Sequence, residues 1–385
     1  MKLHLVTETF PPEVNGVAMT LSRWMAGMAQ RGHTLTVLRP TPKDREATTE
    51  NCPWTEVRLP GLPLPGYPDL RLGLPVYHSL RNRWSKERPD IVHIATEGPQ
   101  GMAALFAAQS LQLPLASSFH TNFHSYGSHY GYGFLLDAVV SYLRFLHNQA
   151  AVSFAPSEDL IRDLKAEGFR HLRLLGRGVD TRLFNPQRRD TSLRQAWGLS
   201  AKDRAVVHVG RIAPEKNLPF LVETFQAMQQ VDPGLKLILV GDGPLRSKLE
   251  TGNADIIFAG MRHGEDLARH YASGDIFLFA SITETFGNVV TEALASGLAV
   301  LAYDYAAPGR YIDHGHNGFL APYDDAERFR ALALELAEQK ELAAFRQAAA
   351  QSMASVSWDR IIDTYEQTLE NVIESARQEG AQAAI

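Results

Sequence analysis

Glu284 and Glu292 stand eight positions apart in the pattern Glu284-x7-Glu292, with Gly287 between them. Carboxylates accept hydrogen bonds well from vicinal hydroxyls, so a pair at this spacing suits a sugar or a ribose. The apolar run 275–280 ahead of them reads as a buried parallel strand, and 288–296 reads as a helix closed by Gly297. Glu284 is therefore expected on a loop and Glu292 on a helix. A strand-loop-helix unit turns backbone N–H groups and the positive helix end toward whatever lies above the strand, which favours an anion there. Hydroxyl acceptors around an anion site point to a sugar nucleotide. On spacing alone the ordinary reading is the stronger one: two glutamates eight apart are common, and Glu292 is then simply a solvated helix position.

Other chemistry-bearing residues follow strand-like runs. Gly210, Arg211 and Lys216 come directly after the run 205–209, where Arg can clamp a diphosphate through two bonds and Lys adds a point charge. Gly241-Asp242-Gly243-Pro244 follows the run 235–240 and reads as a tight turn. Gly16 follows the run 3–6 at the start of a helix at 17–30, where it would let backbone approach a ligand closely. No Gly-x-Gly-x-x-Gly accompanies it, which weakens a nicotinamide reading. His120 ends the run 115–118, a position from which an imidazole can donate or accept near a reacting centre. The segment 98–136 around it has no charged residue but carries Asn122, Tyr126, His129 and Tyr130, a composition that fits an acceptor groove. His120, His124 and His129 lack an accompanying carboxylate, so no metal site is expected. No Asp-x-Asp occurs either.

The elements that must position these groups alternate. Strand-like runs at 3–6, 34–38, 91–94, 115–118, 151–155 and 172–175 are separated by helical stretches, and a second series runs through 205–209, 235–240, 256–259, 276–279 and 299–302. This is the pattern of two doubly wound parallel sheets, an α/β class. The Arg- and Asp-rich stretch 176–200 reads as the linker, which gives domains at 1–185 and 186–357. At 385 residues the chain exceeds what one core usually serves. Ligands of open parallel sheets bind beyond the strand carboxyl ends, so two such domains are expected to face each other across a cleft. One cysteine, Cys52, excludes an internal disulfide and a cysteine-based zinc site. No apolar run is long enough for a bilayer and no secretory signal pattern opens the chain, so a cytoplasmic protein is expected.

Together Glu284-x7-Glu292, Gly210-Arg211-x4-Lys216, the Gly-Asp-Gly-Pro turn, His120 and the Gly16 loop resemble the retaining glycosyltransferases of the GT-B fold, family 4. The resemblance runs from Leu3 to about Tyr365. It implies a nucleotide diphosphate sugar as donor and no resident cofactor. Glu284 would bond the hexose and Glu292 the ribose, with the backbone of Phe286, Gly287, Asn288 and Val289 holding sugar and diphosphate. Arg211 and Lys216 would neutralise the diphosphate without a metal, Gly16 would approach it from the other domain, and His120 would sit by the anomeric carbon. Met261 and Arg262 would face the base, and a terminal helix at about 358–385 would pack back on the first domain. The run 8–16 and Tyr271-Ala-Ser-Gly-Asp275 look most like glycolipid mannosyltransferases using GDP-mannose and sulfoquinovosyl-diacylglycerol synthases. Where several such enzymes carry Asp, this chain has Asn122, which leaves an acceptor contact open.

A lipid or lipid-linked acceptor is thus expected, with a peripheral contact to an anionic surface such as the inner face of a plasma membrane, and no nucleic acid. Residues 1–185 carry 19 Lys plus Arg against 16 Asp plus Glu, the remainder 19 against 27, and Arg81, Arg83, Lys86 and Arg88 cluster. Phe134, Leu135, Ala138, Val139, Tyr142, Leu143 and Leu146 recur at helical spacing, a pattern that also describes an ordinary core face. A soluble or polysaccharide acceptor, a nucleotide-sugar epimerase and a non-catalytic binding protein are the alternatives.

Overall fold

The computed structural model describes residues 1–13, 15–42, 52–64, 67–120, 133–200, 202–284, 286–339 and 341–383. They form two compact units, one of Met1–Arg177 with Trp358–Ile385, the other of Gly178–Ser357.

In the first unit, β1 (Lys2–Val6), β2 (Thr34–Pro40) and β3 (Thr55–Leu59) precede an antiparallel hairpin of β4 (Gly61–Leu64) and β5 (Tyr67–Gly73). After it come β6 (Ile91–Ile94), β7 (Leu115–Ser118), β8 (Val152–Ala155) and β9 (Leu172–Leu174). Outside the hairpin all pair in parallel, in the order β3-β2-β1-β6-β7-β8-β9. The direction of the winding reverses between β1 and β6, so the loops that follow these two strands part there. The hairpin occupies the Pro-rich stretch between β3 and β6. β3, a Thr-Glu-Val-Arg-Leu edge strand, escapes notice because its charged residues break the apolar run.

The long helix Trp358–Ala383 belongs to this unit. Ile362, Tyr365, Leu369 and Ile373 repeat at helical spacing and are buried with Leu3, Trp24 and Phe154. Gly27 makes room for it, since a Cβ there would lie 2.6 Å from Ile362. The helix Gly133–Asn148 divides the apolar face expected of it: Leu143 and Leu146 are buried with Val140, whereas Val139 and Tyr142 are exposed beside Phe145.

The second unit holds β10 (Arg204–Val209), β11 (Leu235–Val240), β12 (Ile257–Gly260), β13 (Ile276–Phe279), β14 (Ala299–Tyr303) and β15 (Gly318–Ala321), all parallel in the order β12-β11-β10-β13-β14-β15. β13 shows why it must be central. Ile276 and Leu278 enter the core on one sheet face, Phe277 and Phe279 that on the other, and burying each contributes about 1.5–3 kcal/mol. The helix Leu218–Val231 after β10 packs in the first core and the helix Asn288–Ala295 after β13 in the second. The two helices consequently leave for opposite faces between β10 and β13.

The stretch expected as a linker is packed structure. Val179, Phe184, Trp197 and Leu199 are buried in the second unit's core, and Arg189 and Arg194 each reach the Asp275 carboxylate at 2.8 Å. The arginines that make this stretch look like a solvated connector converge on one buried acid. Burial would raise the Asp275 carboxyl, but Arg189, the Ala205 N–H, Arg194 and Arg346 outweigh it and hold it below the usual carboxylate range. The units accordingly divide at Arg177, not after residue 185. No helix among the described residues is long and apolar enough to cross a membrane.

Candidate active site

Two loops of the second unit meet at its reversal point, Gly210–Asn217 after β10 and 280–287 after β13. The first makes a turn of 3-10 helix at Pro214–Lys216 and hands over to the helix Leu218–Val231. Lys216 Nζ donates to Glu284 Oε1, joining the two loops through an ion pair. Ser281 Oγ lies 2.8 Å from the same carboxylate oxygen, and Ser281 and Thr283 hydroxyls each reach the Glu215 carbonyl at 3.3 Å. Tyr305 Oη donates to the Ser281 carbonyl at 2.8 Å and Tyr323 Oη to that of Ile282 at 2.9 Å. Glu284 is thus oriented before any ligand arrives, with one oxygen committed to Lys216 and Ser281. Arg211 pairs with Glu215 and is half exposed, so its guanidinium remains within reach of solvent.

Gly287 ends the second loop with φ 91°, a left-handed conformation that suits glycine, and caps the helix Asn288–Ala295. Phe286 is buried against Tyr311, and its carbonyl accepts from Ala307 N at 2.8 Å. Asn288 and Val289 open the helix, where backbone dipoles favour an anion. One turn further, Glu292 accepts from the buried Tyr271 Oη at 2.9 Å. Met261 projects from the loop after β12, more than half exposed. Arg262, expected beside it, is instead turned back on its own loop, donating to the Ala259 carbonyl at 2.7 and 2.9 Å and pairing with Asp266 at 3.1 Å.

In the first unit, Gly16 begins the helix Gly16–Gln30, whose first N–H groups are capped by Asn15 through bonds of 3.1 and 2.8 Å to Val17 and Ala18. His120 follows β7, is buried, and meets Ser118 Oγ at 2.8 Å. Burial, with Arg177 and two further histidines nearby, pushes the imidazole well below its ordinary pKa and keeps it neutral. Asn122, Tyr126, His129 and Tyr130 lie outside the described residues.

Sequence reasoning passed over three features. Ser281 and Tyr271 hold the two glutamates, although each is visible only as a polar residue next to an apolar run. Gly241 and Gly243, read as turn chemistry, are spacers: a Cβ on Gly241 would lie 1.9 Å from the Gly210 carbonyl oxygen, and one on Gly243 2.4 Å from that of Ile212. The third is Glu8, at the reversal point of the first sheet, which accepts from Gly73 N at 2.9 Å. A cavity of about 660 Å³ does open in the second unit, but at the opposite ends of the strands, lined by the paired charges of Arg189, Arg194, Arg204, Asp232, Asp275 and Arg346.

Glu292 carries a measurable signature. Burial raises its carboxyl to about 7 from 4.5, and Glu8 is raised to about 7 by burial with Glu97 adding to the effect. The folded chain therefore keeps protons that the unfolded chain releases above pH 4.5. Stability is fully present below that pH, declines as pH rises to about 7 and then levels, by up to roughly 3 kcal/mol for each group. The ligand-free protein is expected to melt at a lower temperature at pH 8 than at pH 5, and Glu292→Gln to flatten that fall. A variant whose midpoint drops as steeply as wild type would contradict this.

Residues 14–183 match Glycosyltransferase Family 4, and residues 203–339 match Glycosyl transferases group 1. A GDP-mannose-dependent alpha-mannosyltransferase of Mycobacterium tuberculosis is 32% identical over 366 residues, covering 94% of each chain. The alpha-monoglucosyldiacylglycerol synthase of Streptococcus pneumoniae is 28% identical over 79% of this chain and 71% of its own. Among solved structures, Anabaena HepE in complex with UDP and glucose superposes with a TM-score of 0.76 at 20% identity, covering 96% of this chain and all of its own.

Proposed function

The chain belongs to the family 4 glycosyltransferases of the GT-B fold, and from that premise we propose that it transfers a hexose from a nucleotide diphosphate sugar to a lipid or lipid-linked hydroxyl, with retention at the anomeric carbon. The observation that carries this reading is the Lys216–Glu284 pair, held by Ser281 at the reversal point of the second sheet. Lys216, with Arg211, opposes the negative charge that grows on the leaving diphosphate, a role otherwise filled by a divalent metal. The free side of Glu284 accepts from the hexose hydroxyls, and Glu292 accepts from the ribose. The first peptide groups of the helix Asn288–Ala295 take the phosphates. Met261, and the backbone at Arg262 more than its tied-back side chain, face the base. By the family resemblance His120 acts on the sugar and Gly16 admits the diphosphate.

GDP-mannose is favoured as donor because a relative covering nearly the whole chain is named for it. A UDP-sugar is the second reading, supported by the nucleotide bound in HepE. The lipid acceptor is supported by the diacylglycerol in the pneumococcal relative's name, and by an apolar surface of the first unit. Phe106 and Phe145, on neighbouring helices, are exposed with ring centroids 6.3 Å apart, beside exposed Val139 and Tyr142. The helix Tyr77–Glu87, which carries Arg81, Arg83 and Lys86, packs on that of Phe106. Such a surface suits reversible attachment to anionic lipid, each cation adding about 1 kcal/mol.

The test incubates the protein with GDP-mannose or UDP-glucose and anionic vesicles containing diacylglycerol or phosphatidylinositol, and follows labelled glycolipid. Glycolipid forming with one donor, on vesicles that bind the protein at low salt and release it at high salt, is the expected result. Efficient transfer to a soluble sugar with no vesicle binding would overturn the lipid acceptor and leave the glycosyltransferase standing.

A further inference from the structure

A buried chain of side chains runs from the terminal helix to His120. Tyr365 Oη lies 2.6 Å from His93 Nδ1, His93 Nε2 2.9 Å from Ser118 Oγ, and Ser118 Oγ 2.8 Å from His120 Nε2. All four residues are buried, and Trp24 spans them, stacked on Tyr365 and His93 at 4.9 and 5.8 Å and tilted over His120 at 5.6 Å. We propose that Tyr365, His93 and Ser118 are positioning residues that fix His120 as the tautomer with its hydrogen on Nδ1, so that the terminal helix sets the catalytic histidine.

Neutrality makes the chain directional. Burial pushes His93 down to about 3 and His120 well below its ordinary value, so each ring has one donor and one acceptor nitrogen at neutral pH. Tyr365 is packed among the rings of Trp24, His93 and Phe154, and among the described residues His93 Nδ1 is the hydrogen-bond partner its hydroxyl finds. The phenol therefore donates to Nδ1. His93 must then carry its hydrogen on Nε2 and donate it to Ser118, whose own hydrogen goes to His120 Nε2. That leaves the His120 hydrogen on Nδ1. Each bond polarises the next, which strengthens the set as a unit. Chain-wide placement of these residues is not incidental to sequence order: Tyr365 is 245 positions after His120 and reaches it because the helix Trp358–Ala383 is part of the first unit.

The inference rests on the reading that His120 touches the sugar, and the test separates the two. Tyr365→Phe keeps the stacked ring and removes the donor; Ser118→Ala breaks the chain nearer its end and serves if the first variant does not fold. Imidazole nitrogen shifts of 15N-histidine protein report the His120 tautomer, with steady-state rates measured alongside. The expected result is an Nδ1–H signature for His120 in wild type, a mixture of tautomers in either folded variant, and a kcat about tenfold lower with donor KM unchanged. An unaltered His120 signature or unaltered kcat in a folded variant, while His120→Ala is inactive, overturns the relay alone. Normal turnover by His120→Ala overturns the reading of His120 and the proposal with it.

Discussion

Lys216→Ala and Glu284→Ala each lower hexose transfer by about a hundredfold or more, the usual cost of removing a group aimed at charge that develops in the transition state. The loss in Lys216→Ala falls on kcat, because the cation opposes charge on the diphosphate most strongly as the sugar leaves. Glu284→Ala loses more than a hydroxyl contact, since it also releases Lys216, whose ammonium is tied down by that carboxylate, itself held by Ser281. The double variant is accordingly expected to be little worse than either single one, as neighbouring groups in one network are not additive. Thermal melting and steady-state rates on the three variants check this. Turnover near wild type in a folded single variant, or fully multiplicative losses, would contradict the assignment.

Gly241→Ala weakens donor binding through the backbone. At φ 136° the residue sits where side chains are rarely accommodated, and the added Cβ would lie 1.9 Å from the Gly210 carbonyl oxygen. Neither partner is a flexible side chain, so the loop that carries Arg211 and Lys216 must shift. The expected outcome is loss of about 2 kcal/mol or more of stability, together with a nucleotide affinity at least tenfold weaker. Denaturant unfolding and calorimetry with GDP and UDP measure the two. A variant with wild-type stability and wild-type nucleotide affinity would show that the two loops do not lean on one another.

The parallel sheets were legible because strands buried on both faces read as unbroken apolar runs, as β13 and β14 do. Glu284 and Lys216 could be singled out because they follow such strands, where an open sheet takes its ligand, and the structure joins them in one ion pair. What escaped was set by long-range contact. Asp275 looks like a strand boundary, and its three arginines, at positions 189, 194 and 346, can be joined to it only in three dimensions. The same holds for Tyr271 beneath Glu292 and Tyr365 behind His120, ordinary aromatics of helical patterns until their hydroxyls are located. Arg262 is a local case: its spacing from Asp266, i to i+4, already offers a partner in the sequence, and the side chain takes it.

The reaction itself is followed most directly by NMR of a transfer assay run in excess chelator, observing the anomeric signal of the product and the released nucleoside diphosphate together. If the Lys216 and Glu284 loops hold a nucleotide diphosphate sugar for retaining, metal-independent transfer, the product keeps the donor's anomeric configuration and one diphosphate appears per glycoside formed. An inverted product, glycoside without matching diphosphate, or a reaction restored only by magnesium or manganese would contradict that account.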